Sequence, residues 1–108
     1  MDENLFRVES DAALDDLFRA LARASDEHDF EADLNGGALT VEFEEPPAKF
    51  VVSPNAPVRQ IWVSALTTSF KLEWESARNA FVLPASGQTL RQLMASVISR
   101  QLGEPVEL

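Results

Sequence analysis

The 108-residue chain has no cysteine and no tyrosine, one histidine and only four glycines. Without thiols it can form no disulfide, no thiolate metal site and no cysteine nucleophile. A single histidine, with no serine in a nucleophile-elbow setting, leaves no hydrolytic triad. The missing tyrosine and the lack of a dense inward-facing ligand set also exclude a buried di-iron centre. Long apolar runs are absent too. No stretch approaches the roughly eighteen residues that span a bilayer, and Met1–Leu5 lacks the positive start and apolar run of a secretory signal. A soluble, cytoplasmic protein of one domain, residues 1–108, is the expectation, and a monomer.

Basic residues are scarce: nine Lys and Arg stand against eighteen Asp and Glu, a formal charge of −9. The imbalance is concentrated. The first 45 residues hold fourteen carboxylates and three basic side chains, and the remaining 63 are slightly positive. Such a chain is a poor match for nucleic acid or anionic lipid. Collecting one sign of charge at one end also opposes compaction. The densest part is Asp26, Glu27, Asp29, Glu31 and Asp33, five carboxylates in eight positions.

Apolar periodicity gives the fold. Leu14, Leu17, Leu21 and Ala24 recur at helical spacing, with Phe6, Ser10 and Ala13 extending the stripe, so a helix is predicted over 5–24. Asn4 is the candidate cap, with Ser10 as alternative. Phe30, Ala32 and Leu34 then alternate with Glu31 and Asp33 as a half-buried strand. Asn35-Gly36-Gly37 is a hairpin signal, leading into a strand over 38–44. Pro46-Pro47 ends that strand, since neither proline can donate to a ladder. Further strands are predicted over 49–53, 59–64, 69–75 and 79–83, with a loop over 54–57. Leu90, Leu93, Met94, Val97, Ile98 and Leu102 mark a second helix, with Ser86 or Thr89 as cap, Gly103 as its αL stop and Pro105 beyond. Val106 and Leu108 form an apolar tail expected to close the gap between the helices. The predicted class is α+β: a two-layer sandwich with both helices on one face of an antiparallel sheet of five or six strands.

Period two also locates an exposed aromatic. Ile61 and Val63 must face the core, which turns Gln60, Trp62 and Ser64 to the other side. Thr40 and Glu42 point outward from the second strand. An indole among small polar residues suits the anchor of a binding surface, and these five residues are the candidate partner-binding set. The plainer alternative is that Trp62 packs across neighbouring strands.

The acidic residues suggest metal chemistry. Asp11 and Asp15, at i and i+4, can share a cation. Asp29, Glu31 and Asp33 alternate onto one strand face about 7 Å apart. That is too wide for one compact coordination sphere but close enough for several hydrated ions. Oxygen donors select hard cations: iron in either oxidation state, manganese, calcium or a lanthanide. Binding at such a surface is weak and salt-sensitive. His28 lies inside the cluster as a poor ligand. The plainer alternative is a solvated acidic face.

Three stretches resemble the frataxin family: Asp29–Phe43, with its acidic strand, turn and strand; Pro57–Ser64, around Gln60 and Trp62; and Ser86–Leu90 leading into the last helix and the Gly103–Val106 tail. The resemblance implies a helix–sheet sandwich. It implies weak iron binding by an acidic ridge, with Asp26, Glu27, Asp29, Glu31 and Asp33 as ridge residues, and docking of the sheet face on a cysteine desulfurase and an iron–sulfur scaffold protein. It further implies modulation of cluster assembly rather than catalysis, with weak ferroxidase activity at the carboxylates the one enzymatic chemistry left open. The chain departs from the family where Arg19 and Arg23 replace carboxylates of the first helix, where Ser53 stands for an asparagine, and where Phe81 stands for a tryptophan. Those departures support a second reading, a divergent adaptor without a metal role.

Overall fold

The structure, a computed structural model, describes all residues from Met1 to Leu108. The first helix, α1 (Glu3–Ala24), starts earlier than the apolar stripe suggests. Asp2 is its cap, its carboxylate accepting from the Leu5 amide at 2.7 Å. Neither Asn4 nor Ser10 plays that part. Ser10 is buried in the middle of the helix and donates to the Arg7 carbonyl.

Six strands follow: β1 (Glu31–Asn35), β2 (Ala38–Glu44), β3 (Pro47–Asn55), β4 (Gln60–Ala65), β5 (Thr68–Glu75) and β6 (Ala80–Val82). They pair antiparallel in sequence order as one meander. β3 is longer than predicted at both ends. Pro47 opens it opposite Glu44, a first-residue position where a missing N–H is tolerated, and Pro54 and Asn55 continue it opposite Ile61 and Gln60. The loop expected over 54–57 is thereby reduced to one 3₁₀ turn, Ala56–Val58. Arg59 closes that turn at φ +54°, outside the strand predicted for it.

The second helix, α2 (Leu90–Leu102), has the predicted stripe buried and stops at Gly103 in the αL region. Of the two candidate caps, Thr89 is the one used. Its hydroxyl accepts from the Gln92 amide while the Gln92 side chain accepts from the Thr89 amide, a complete capping box. Thr89→Ala is expected to cost about 1 kcal/mol, with Thr89→Ser near neutral, read as the urea midpoint.

Both helices cover one sheet face, with Phe6, Leu17, Leu21, Phe50, Ile61, Leu72, Met94 and Ile98 fully buried between the layers. The tail joins this core. Val106 is buried, its amide donates to the Ser99 hydroxyl at 2.9 Å, and Leu108 packs against the cluster. At the β6 edge, Phe81 is buried between Phe6 and Trp74, with ring centroids 5.7 and 5.1 Å away. Trp74 thus fills the space beside the smaller ring at position 81.

Candidate functional site

Hairpin geometry decides where the carboxylates go. The Gly36-Gly37 turn has φ of +63° and +81°, the left-handed pair that a two-residue hairpin of the primed type requires. It sets Asn35 opposite Ala38, and therefore Asp33 opposite Thr40 and Glu31 opposite Glu42. Directly opposed residues hold their Cβ atoms about 5 Å apart, where like charges repel. Asp29, just before β1, lines a shallow 180 Å³ depression with Phe30, Glu31, Glu42 and Glu44. A neighbouring 430 Å³ depression is lined by Ser25, Glu31, Asp33, Thr40 and Glu42. The acidic surface is thus a band across two strands.

Compensation of this band is slight: Lys49, opposite Glu42 on β3, is the one basic residue in register with it and makes no close ion pair. From Asp26 to Glu45 the chain has eight carboxylates and no Lys or Arg, and none of the eight has a cationic atom within 4.0 Å. Asp26 and Glu27 are in the turn after α1, where Glu27 lines a separate depression with His28, Pro105 and Glu107. All donors are oxygens, but no three His, Asp or Glu side chains converge closely enough to enclose one ion. Such a surface can hold hydrated hard cations between pairs of carboxylates, not a closed coordination sphere.

The helix carboxylates behave differently. Asp15 forms a close ion pair with Arg19, and its hydrogen bond and charge raise the guanidinium pKa. Asp16 accepts from Arg91 at 3.0 Å. A cation shared by Asp11 and Asp15 would have to displace Arg19. These two residues also sit about 20 and 14 Å of helix axis from the end of α1 at Ala24, away from the band. His28 is engaged elsewhere: Nδ1 lies 2.6 Å from Glu104 Oε2, which ties the α1–β1 turn to the C-terminal segment.

On the same sheet face, Trp62 is 37% exposed and held on three sides. Its indole Nε1 donates to Gln60 Oε1 at 2.9 Å, and Gln60 Nε2 donates to Glu73 Oε2 at 3.0 Å. Lys71, opposite it on β5, places Nζ 4.9 Å from the ring centroid, and the small Ser53 is opposite it on β3. Ser64 is exposed and Thr40 half-buried. They belong to one cross-strand row, Asp33–Thr40–Val51–Ser64–Ser69, that runs from the acidic edge past the indole. With strands about 4.8 Å apart, Trp62 on β4 is about 14 Å from the β1 edge.

Glu44, Lys71 and Glu73 are site residues that the sequence reading does not single out. A signal for Glu44 exists: the hairpin fixes the β1–β2 register, and period two then aligns Glu44 with Glu42. Lys71 and Glu73 need the β4–β5 register, which depends on where the Leu66-Thr67 turn falls. Both of those residues adopt positive φ, +54° and +59°, without a glycine to advertise it.

A family model described as a frataxin-like domain matches residues 1–104. The chain is 34% identical over 104 residues to the "Iron-sulfur cluster assembly protein CyaY" of Pseudomonas aeruginosa, covering 91% of this chain and 95% of that protein. It is 31% identical over 96 residues to the protein of the same name from Azotobacter vinelandii, covering 87% and 86%. Among solved structures, the frataxin of Psychromonas ingrahamii superposes with a TM-score of 0.75 at 23% identity, over 99% of this chain and 97% of that one; this likeness concerns the fold.

Proposed function

This chain belongs to the frataxin family, and we propose that it serves iron–sulfur cluster assembly as an iron-binding regulator that docks on the cysteine desulfurase and its scaffold protein. The observation that carries the metal half is the carboxylate band without close ion pairs, in which Glu31 opposes Glu42 beside Asp29 and Glu44 and only Lys49 stands in register. The fold gains little from opposing Glu31 to Glu42, whereas a hydrated iron ion bridging the pair removes the repulsion. Asp33, Asp26 and Glu27 extend the surface along and around the edge, and Asp11 and Asp15 on α1 are secondary positions. Iron here is cargo, held loosely and exchanged readily, and manganese or calcium competes for the same oxygens.

The partner half rests on Trp62. Gln60, Ser64, Thr40 and Glu42 share its face, so one docked protein would cover the indole and reach the acidic edge together. In this reading iron occupancy tunes the edge of the docking surface, and the protein acts by binding rather than by catalysis. The names of the two bacterial relatives, both iron–sulfur cluster assembly proteins, support the process.

The test is an anaerobic ferrous titration followed by amide resonances. Broadening centred on residues 29–44, reversed by salt, is expected. Perturbation confined to α1 around Asp11 and Asp15, or none at all, contradicts it. The second reading, an acidic adaptor without a metal role, is favoured by the lack of three converging donors and predicts that null result with desulfurase binding intact.

A further inference from the structure

Apart from Trp62, the large apolar side chains left exposed are Met1, Leu5, Val8 and Val58. Three of these four gather at the N-terminal end of α1, and Val8 is the most open at 63%. Leu5, Val8 and Ala12 fall at i, i+3 and i+7, so they share one face of the helix. That face is opposite the buried Phe6, Ser10, Leu14 and Leu17. The fold does not need valine there. An exposed β-branched residue is a poorer helix former than alanine or lysine, and its apolar surface stays in water.

The stripe runs into a groove. Ala12 also lines a 290 Å³ cleft with Ala13, Asp16, Trp74, Ala80 and Arg91. Trp74, edge-on to Phe81, gives the cleft an aromatic floor. The cleft opens beside Thr89 and Leu90, where α2 begins. α1 has 22 residues and α2 only 13, about 33 Å against about 20 Å, so part of α1 runs without a helix beside it. Charge defines the rest. Glu9 and Asp11 flank the stripe and have no cation within 4.0 Å, while Asp16 is bound to Arg91.

We propose that the N-terminal half of α1, together with the cleft over Trp74, docks a short amphipathic helix of a partner protein that carries lysine or arginine beside its apolar face. Leu5, Val8 and the cleft floor take the apolar side, and Glu9 and Asp11 take the basic flank. A second copy of this chain is a poor occupant, because it would bring another net −9 to the contact. The surface is separate from the iron-binding band on β1 and β2, and shares with the proposed metal positions only the secondary one, Asp11. The cleft lies at β6 and the band at β1, the two ends of the strand order, about 24 Å apart at the usual strand spacing. It therefore stands whether or not iron binds.

A synthetic 14-residue Leu/Lys amphipathic helix serves as probe, with a scrambled peptide of identical composition as control. The amphipathic probe is expected to shift the amides of residues 5–13 and the Trp74 indole, saturably and at least tenfold more tightly than the scrambled one. Val8→Glu adds a negative charge while removing the apolar contact, and is expected to weaken binding at least tenfold with an unchanged melting curve. Binding that is equal or tighter in Val8→Glu is charge attraction alone and overturns the proposal. Equal affinity for the scrambled peptide, shifts confined to residues 26–45, or no saturable binding overturn it as well. Dimerisation in sedimentation that Val8→Glu abolishes would give the face to a second copy and overturn it too.

Discussion

Glu31→Gln combined with Glu42→Gln is expected to raise the thermal midpoint by about 5 °C and to remove most of the ferrous binding at the sheet edge. The two carboxylates face each other across the β1–β2 ladder, and a like-charged opposed pair destabilises by roughly 0.2–1 kcal/mol. Each also feels Asp29, Asp33 and Glu44 on the same face, and the one cation in register, Lys49 opposite Glu42, forms no ion pair within 4.0 Å to offset them. Neutralising the pair thus relieves about 1 kcal/mol, which in a domain of this size is worth roughly 4–8 °C. Glutamine keeps the shape and the strand, so packing is preserved. Ionic strength provides the control. At about 1 M salt the Debye length falls to roughly 3 Å, the wild-type repulsion is screened, and the gain should shrink towards zero. Calorimetry in low and high salt, beside the iron titration, reads both effects. A variant less stable than wild type, or one that binds iron unchanged, contradicts the assignment of this pair.

Trp62→Ala is expected to weaken the complex with a purified desulfurase–scaffold assembly at least 30-fold, about 2 kcal/mol, while leaving the protein folded. The indole is on the sheet face away from both helices, so its removal opens no cavity in the core. The internal loss is limited to the Lys71 contact and the Gln60 bond, together about 1 kcal/mol, visible as a small drop in melting temperature. Gln60→Ala frees the indole from its hydrogen bond to position 60 but keeps its area, so a smaller loss of affinity is expected. Surface plasmon resonance on the wild type and the two variants orders them. If the Trp62→Ala variant binds as tightly as the native protein, the sheet face is not the interface.

The fold is legible because its strongest signals are local. The α2 stripe, the glycine at position 103 and the Asn35-Gly36-Gly37 turn each act within a few residues, and each acts as read. The start of α1 is hidden because Asp2 and Glu3 precede the apolar stripe and carry no periodic signal. The true length of β3 is hidden because proline reads as a break, yet Pro47 is a first residue and Pro54 is next to last in its strand. At the site, period two finds the outward turn of Trp62, and composition finds the acidic run. What composition cannot do is pair Glu31 with Glu42, which is a matter of register. Nor can it tell paired from unpaired acids: Asp16 meets Arg91 75 residues away, and His28 meets Glu104 76 away. Those partners exist only after the helices and tail have packed.

The strict sequence order of the six strands has a bearing on biosynthesis. Each strand can zip onto its predecessor as it leaves the ribosome, since no ladder waits for a distant segment. The helix that shields the far half of the sheet is encoded last, with Leu93, Met94, Val97 and Ile98 all awaiting translation. A nascent chain therefore holds a nearly finished meander with a bare greasy face, the sort of species that chaperones capture and that aggregates when they do not.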